Sequence, residues 1–251
     1  MYKAYLDECG QTGTDWMFLA GFLGREEQWR EFVPKWKRAL GPQRKFLHMH
    51  DLRWNKSRTK ELLARLGQIP QECRLTPALL GVRFGDYEDL VVGTPSRFHR
   101  LFVGYLACVL PLALQILRVI PDNERIELVF EQQTPHQRLA GIALSTVPAC
   151  FSELNKNSDG TTKLAKWSFV PKGSTIMCDP ADYFAFALRE AWTNPNSKKH
   201  QWCKSILSTN DGEGVGTIMS RQQIRSLIQS TYFDAELKPW LRGLNETGKR
   251  F

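Results

Sequence analysis

The cysteines of this sequence form no C-x-x-C pair and follow no regular spacing. A zinc site needs three or four closely arranged ligands, and a secreted disulfide framework needs cysteines that can pair. Neither pattern is present, so we expect reduced thiols and a cytoplasmic location. The cysteines in question are Cys9, Cys73, Cys108, Cys150, Cys178 and Cys203.

The sequence also lacks a hydrophobic run long enough to cross a membrane. The longest run, residues 101–117, is interrupted by a glycine and a proline and is flanked by arginines. It is short for a bilayer span and predicts a buried helix instead. Residues 1–6 run into Asp7 too early for the apolar core of a signal peptide. We therefore expect no membrane partner.

No glycine-rich phosphate loop is present. Residues 10–13 have the wrong glycine spacing and no helix behind them, and the glycines of residues 212–216 follow no predicted strand. These absences argue against the common nucleotide-binding folds.

Basic residues are in excess, with 34 Lys and Arg against 26 Asp and Glu and a net charge of +8. Lysine and arginine release counterions when they bind a phosphate backbone. The balance therefore suits a nucleic-acid partner, either RNA or DNA, although net charge alone says nothing about fold.

Segments with strand-like apolar patterns and segments with helical apolar spacing follow one another along the chain. This order predicts an α/β fold that begins with a β-hairpin. We expect a mixed sheet flanked by helices in a single domain spanning residues 1–251. The predicted strands are 2–7, 16–23, 75–84, 125–131 and 164–170, with residues 45–52 a short strand or loop. The predicted helices are 26–40, one from Ser57, 95–117, 134–154, one from Asp179 or Asp182 to Ala191, and 218–232.

Acidic residues occur at strand ends and in a first helical turn, at positions that packing of a sheet core does not explain. Asp7 and Glu8 end the first strand, and alternation directs them to opposite faces of the sheet. Glu131 ends another predicted strand, while Asp179 and Asp182 share one side of a helical first turn. Each has an ordinary explanation as a turn-former, a loop residue or a helix cap.

The combination of these acids predicts more than any one of them. Strand ends and helix starts can meet at one edge of an α/β sheet, and no Lys or Arg stands close in sequence to balance the carboxylates. Such a cluster needs a compensating cation. Mg²⁺ or Mn²⁺, held by carboxylate oxygens and substrate phosphate, would supply it.

Two motifs resemble domain-of-unknown-function family 3800. Residues 5–13, Tyr-Leu-Asp-Glu-Cys-Gly-Gln-Thr-Gly, are similar to its opening motif, and residues 178–187, Cys-Asp-Pro-Ala-Asp-Tyr-Phe-Ala-Phe-Ala, to its closing motif. The resemblance extends over residues 3–192. It implies a ribonuclease H-like core over about residues 1–192, which would leave a helical extension over about residues 193–251.

The resemblance further implies a metal-dependent nuclease. Asp7 would be the central metal ligand, with Glu131 and Asp182 as further ligands and Glu8 as a ligand or an orienting group. Asp179 stands where the family usually has Gln and would add a possible ligand. The sequence also departs from the family at Cys9, where Ser is usual, and at Glu131, where Asp is more common.

Further polar residues could serve such a site. His48 is a candidate general base or phosphate contact, in the place where the family tends to carry a His before a short helix. Lys172 and Ser174 precede the closing motif and could contact a substrate phosphate, or could lie in a solvated loop. Trp29 and Trp36 could stack on bases, but their helical spacing favours the core.

Three other functions remain open. The chain could be a catalytically inactive ribonuclease H-like module that binds nucleic acid or protein. It could act on small nucleotides by phosphotransfer. A Ser-His-Asp or Cys-His hydrolase is the weakest alternative, because two neighbouring acids would raise the pKa of Cys9 and make it a poor nucleophile.

Overall fold

The computed structural model describes residues 1–10, 15–54, 56–86, 97–131, 141, 144–145, 152–193, 196, 199, 203 and 214–228. Most of the predicted helix at 134–154 lies outside these residues, as do Cys150 and much of the predicted extension. Every candidate site residue named above lies inside them.

The described strands form one six-stranded mixed sheet in the order β5-β4-β1-β2-β3-β6. The first three strands are antiparallel neighbours, β4 runs parallel to β1, β5 to β4, and β6 to β3. The strands are β1 Tyr2–Cys9, β2 Trp16–Arg25, β3 Thr76–Arg83, β4 Ile126–Glu131, β5 Leu164–Val170 and β6 Val215–Ile218. This confirms the α/β class and the initial hairpin.

Helices cover both faces of the sheet. One hydrophobic cluster joins α3 to one face, and a second joins α1, α2 and α4 to the other. The helices are α1 Glu26–Leu40, α2 Ser57–Glu72, α3 Arg97–Val119, α4 Asp179–Thr193 and α5 Arg221–Ile228, with short 3-10 helices at Met49–Asp51 and Phe84–Asp86. The apolar run at 101–117 is therefore a helix packed on the sheet, as predicted.

Alternation along β1 explains how one strand serves both layers. Ala4 and Leu6 pack in the cluster with α3, and Tyr5 packs in the cluster with α4. β2 is buried on both faces over nearly its whole length, which agrees with its continuous apolar sequence. Trp29 and Trp36 are also buried, so their interpretation as core residues is confirmed.

Two local predictions were incomplete. The segment at 45–52 contains a 3-10 helix rather than a strand. The last predicted helix begins at Arg221 rather than Ile218, because residues 215–218 form β6 at the edge of the sheet. That strand has four residues, and Gly216 within it has a φ of +131°, so no alternating pattern was there to find.

Two findings bear on the cysteines and the membrane. The described cysteines Cys9, Cys73, Cys108, Cys178 and Cys203 are free thiols. Of the helices that the structure describes, none is both long and apolar enough to span a lipid bilayer.

Candidate active site

Asp7 and Glu131 lie at the ends of neighbouring parallel strands. The pairing of β1 with β4 extends to Leu6 opposite Phe130, so one more step in the same register brings Asp7 beside Glu131. Alternation directs both side chains to the face that α4 covers. Asp7 is 2% exposed and Glu131 is 5% exposed.

Asp182, in the first turn of α4, is the third acid at this position. α4 packs across β1 and β2, and the thiol of Cys9 donates a hydrogen bond to the carbonyl oxygen of Ala185 at 2.8 Å. This contact fixes the beginning of the helix over the end of β1. The backbone N–H of Met49 donates to Asp182 Oδ2 at 2.9 Å.

The three acids influence one another electrostatically. The pKa of Asp7 is raised well above its ordinary value, first by burial, then by the charges of Asp182 and Glu131. Lys172 and the backbone N–H of Glu8 act in the opposite direction. Asp7, Glu131 and Asp182 are therefore coupled although they are distant in sequence, and we call them the carboxylate cluster.

Lys172 is a cation that contacts this cluster. Its Nζ lies 3.2 Å from Glu131 Oε2. Burial alone would lower the pKa of Lys172, but Asp182, Asp7 and Glu131 outweigh it and the pKa is raised. The sequence offered no nearby lysine to balance the acids, and tertiary structure supplies one from the turn after β5.

The turn that carries Lys172 also contains Ser174. The N–H of Ser174 donates to the carbonyl oxygen of Pro171 at 2.9 Å, and Gly173 takes a left-handed φ of +68° that closes the turn. Lys172 and Ser174 are both exposed. Both are therefore accessible to a ligand, as a phosphate contact would require, and Lys172 is the one that contacts the cluster.

Asp179 holds a neighbouring segment in place. Its Oδ2 accepts hydrogen bonds from the backbone N–H of Leu47 at 2.8 Å and from Trp36 Nε1 at 3.1 Å. Burial raises the pKa of Asp179 to about 7, against the effect of these two donors. A metal would have to use the other oxygen of Asp179 or displace both donors.

His48 lies beside the cluster because of these contacts. Its neighbours Leu47 and Met49 are bound to Asp179 and Asp182, respectively. His48 Nδ1 is 3.0 Å from Asp51 Oδ2. If Nδ1 carries the proton of that contact, Nε2 is the nitrogen left to accept a proton.

Glu8 points to the opposite face of the sheet, as alternation predicted. It is buried, and its Oε1 accepts no hydrogen bond from the described residues. Its pKa is raised well above the ordinary value by burial, then by Asp7 and Glu131. Burial and then Glu8 also raise the pKa of Tyr105 in α3. Glu8 is thus coupled to the cluster but lies on the other face.

Cys9 is not suited to nucleophilic attack. Burial raises the pKa of its thiol well above the ordinary value; Arg189 opposes this, while Asp7 and Asp182 add to it. The thiolate is the reactive form of cysteine. The sequence argument against a Cys-dependent hydrolase therefore agrees with the geometry.

The donor chemistry fits Mg²⁺ or Mn²⁺, which take carboxylate oxygens. Within the described ranges, however, no three His, Cys, Asp or Glu side chains are arranged closely enough to hold a metal ion as they stand. To hold a metal ion, the carboxylate groups would have to move closer to one another, and the ammonium group of Lys172 would have to leave Glu131. The set fits a divalent cation in composition and burial, but not yet in arrangement.

Sequence reasoning missed two contacts of this region. It considered Lys172 only as a phosphate contact and did not pair it with Glu131, and it did not consider Asp51 as the partner of His48. The i, i+3 spacing of His48 and Asp51 was visible in the sequence, whereas nothing local links Lys172 to Glu131.

Comparisons with family models and with curated proteins found no relative of this chain. No protein-family model matches the chain, and a search of curated proteins returned no significant match. Function is therefore argued from the residues of the cluster and their surroundings.

Proposed function

We propose that this protein is a Mg²⁺- or Mn²⁺-dependent nuclease of the cytoplasm that hydrolyses phosphodiester bonds in RNA or DNA. One observation carries the proposal. Asp7, Glu131 and Asp182 come from three separate elements. Asp7 and Glu131 are buried at the ends of neighbouring strands, Asp182 is half-buried above them, and the charges of Asp182 and Glu131 raise the pKa of Asp7. Stability alone gives no reason to place three coupled acids, two of them buried, beside one lysine.

The fold is consistent with a ribonuclease H-like assignment. Its sheet opens with three antiparallel strands and continues from β1 into parallel strands, the mixed arrangement expected of that fold. The motif resemblance to domain-of-unknown-function family 3800 adds support, since it assigns ligand roles to Asp7, Glu131 and Asp182.

In this proposal each residue has a defined task. Asp7, Glu131 and Asp182 hold the divalent ions, which when bound activate water and stabilise the leaving oxygen. Lys172 leaves Glu131 and binds a substrate phosphate oxygen, with Ser174 beside it. His48, oriented by Asp51, accepts or donates a proton at the reacting oxygen.

A specific observation favours a second candidate, a non-catalytic nucleic-acid- or protein-binding module. Lys172 already compensates Glu131, and the described acids are not in a metal-holding arrangement as they stand. A protein that retained this fold without metal chemistry would keep such an internal ion pair.

Labelled RNA and DNA incubated with Mn²⁺, with Asp7→Asn as the test variant, separate the two candidates. We expect the wild type to cleave at least one polymer and Asp7→Asn to lose more than the roughly hundredfold that outer-shell metal partners cost. At about 100 times its Kd, Mn²⁺ should raise the Tm of the wild type by about 5–10 °C. Asp7→Asn should abolish that rise.

The substitution itself tests folding, because it removes a buried charge from a repulsive cluster. The metal-free Tm of Asp7→Asn should equal or exceed that of the wild type. If Mn²⁺ leaves the Tm of the wild type unchanged, and Asp7→Asn binds nucleic acid as the wild type does, the non-catalytic module is the better description. Cleavage of mononucleotides but not polymers would instead indicate small-nucleotide phosphotransfer.

A further inference from the structure

We propose that a surface along α4 binds single-stranded nucleic acid next to the carboxylate cluster. We call it the aromatic–cationic surface, and it consists of Trp54, Phe186, Arg189, Trp192 and Lys199. It would define the substrate class of the proposed nuclease. Only its link to cleavage rests on that proposed function, because the surface could bind nucleic acid without it.

The surface begins one helical turn beyond the cluster. Asp182, Phe186 and Arg189 recur at spacings of four and three residues, which puts them on one side of α4. At the usual helical rise, Phe186 lies about 6 Å and Arg189 about 10 Å beyond Asp182. The Cys9 thiol donates a hydrogen bond to the carbonyl oxygen of residue 185 in α4 at 2.8 Å, and Cys9 follows Asp7 by two residues on the same face of β1. The surface and the acids are therefore neighbours.

A stacked aromatic pair with two cations forms the first part of the surface. The rings of Trp54 and Phe186 are parallel within 14°, with centroids 5.0 Å apart. The Arg189 guanidinium lies 4.8 Å from the Phe186 ring centroid, and Lys199 Nζ lies 5.0 Å from that of Trp54. Phe186 is buried below, while Trp54 and Lys199 are partly exposed.

Trp192 forms the second part, near the end of α4. It is 42% exposed, although its ring contacts Phe18 at a centroid distance of 6.1 Å. Phe18 is buried and in turn stacks on Trp16. Trp192 is thus anchored at one edge and open to solvent elsewhere. A large aromatic ring that is held in place at one edge and exposed elsewhere offers a surface on which a base can stack.

The mixture of groups favours single-stranded nucleic acid over other partners. Bases stack on aromatic side chains only when they are splayed out of a duplex, and the cations beside the rings suit the phosphates between those bases. The neighbouring acid Glu190 is buried, and Arg189 lies 3.3 Å from its Oε1. The net charge of +8 adds long-range attraction.

Binding measured in EDTA tests the surface without cleavage. The probes are fluorescent oligonucleotides of about 12 nucleotides, poly-dT and poly-U, with a duplex of equal length as comparison. Fluorescence anisotropy over a range of salt concentrations gives both the affinity and its salt dependence. The variants are Trp192→Ala and Lys199→Gln. Matched controls are Val119→Ala, at an exposed apolar position in α3, and Lys35→Gln, at a lysine in α1.

We expect single strands to bind more tightly than the duplex. Trp192→Ala should weaken single-strand binding by about 5- to 100-fold, and Lys199→Gln should reduce the slope of log affinity against log salt by about 0.7. Both controls should bind like the wild type, and Tm measurements should confirm that all four variants are folded.

Three results would overturn the inference: a Trp192→Ala variant that binds single strands like the wild type, equal affinity for the duplex, or no binding by the wild type. If Trp192→Ala instead converts a wild-type dimer to a monomer and leaves oligonucleotide affinity unchanged, the surface joins two copies of the chain. If the wild type cleaves nucleic acid but Trp192→Ala binds single strands unaltered, the binding surface is wrong and the nuclease proposal stands. If single strands bind through Trp192 but the wild type cleaves nothing in Mn²⁺, the nuclease proposal is wrong and the binding surface stands.

Discussion

Glu127 and Glu131 lie on the same strand and the same face, four residues apart, and both are buried. Their surroundings differ. Glu127 lies close to two lysines, with Lys166 Nζ at 3.0 Å and Lys3 Nζ at 3.6 Å, and Lys3 also pairs with the partly exposed Glu26. Its charge is balanced inside the protein, which marks it as a structural acid.

Among the residues that the structure describes, Glu131 pairs with Lys172 alone, and that lysine also interacts with Asp7 and Asp182. One ammonium group therefore serves three acids. The difference teaches that burial does not by itself distinguish a functional carboxylate from a structural one. The balance between acids and cations around each carboxylate does, because an unbalanced group attracts an external cation.

The largest expected effect follows from neutralising each glutamate in turn. Glu131→Gln should reduce Mn²⁺-dependent cleavage by more than about a hundredfold and remove the Mn²⁺-induced rise in Tm, because a metal ligand is lost. Glu127→Gln, the matched control, should change cleavage less than about threefold. Gel assays and thermal melts measure both. Equal losses in the two variants would erase the proposed distinction.

An intermediate effect is expected at the lysines. Lys172→Met should tighten Mn²⁺ binding by about tenfold, because an ammonium group no longer competes for Glu131, yet cleavage should slow because the substrate phosphate loses a contact. Lys166→Met should change neither quantity. Isothermal titration calorimetry gives the Mn²⁺ affinity. A Lys172→Met variant with unchanged or weaker Mn²⁺ binding would contradict the idea of competition within the cluster.

The smallest effect concerns pH and Asp179. Its pKa in the folded protein is about 7, above the ordinary value of 3.8. The folded state therefore holds the proton more tightly, and the stability that this provides is complete below about pH 4 and is lost as pH rises toward 7. In EDTA, the Tm of the wild type should fall by about 3–5 °C per pH unit from this group.

Asp179→Asn should flatten that dependence, since the amide keeps an oxygen for Leu47 and Trp36 but does not titrate. Differential scanning calorimetry across pH 5 to 7 makes the comparison. An unaltered slope in Asp179→Asn would mean that Asp7 and Glu8, whose pKa values are also raised, account for the whole effect.

Much of the fold was predictable because its signals are local. Alternation predicted that Asp7 and Glu8 would face opposite sides of β1, and the structure agrees. The apolar run of β2 and the helical spacing of α1 were equally clear. β6 was missed, since four residues with a glycine among them carry no pattern, and the strand depends on pairing with β3 and packing against α3.

The candidate site was predictable in its acids but not in its surroundings. Asp179 and Asp182 are three residues apart on one helical turn, and no local rule separates them. In the structure Asp179 holds Leu47 and Trp36, whereas Asp182 joins the cluster. The exposure of Trp192 was equally invisible, because the sequence cannot show where the layers packed on α4 end.

By itself, the sequence determined the α/β class, the strand and helix periods and the positions of the acids proposed as cation ligands, because each is visible within a few positions of the chain. Only the tertiary structure decided that Glu127 is balanced and Glu131 is not. The cations that settle the difference come from β1, β5 and the turn after β5, and Coulomb interactions depend on distance in space rather than along the chain.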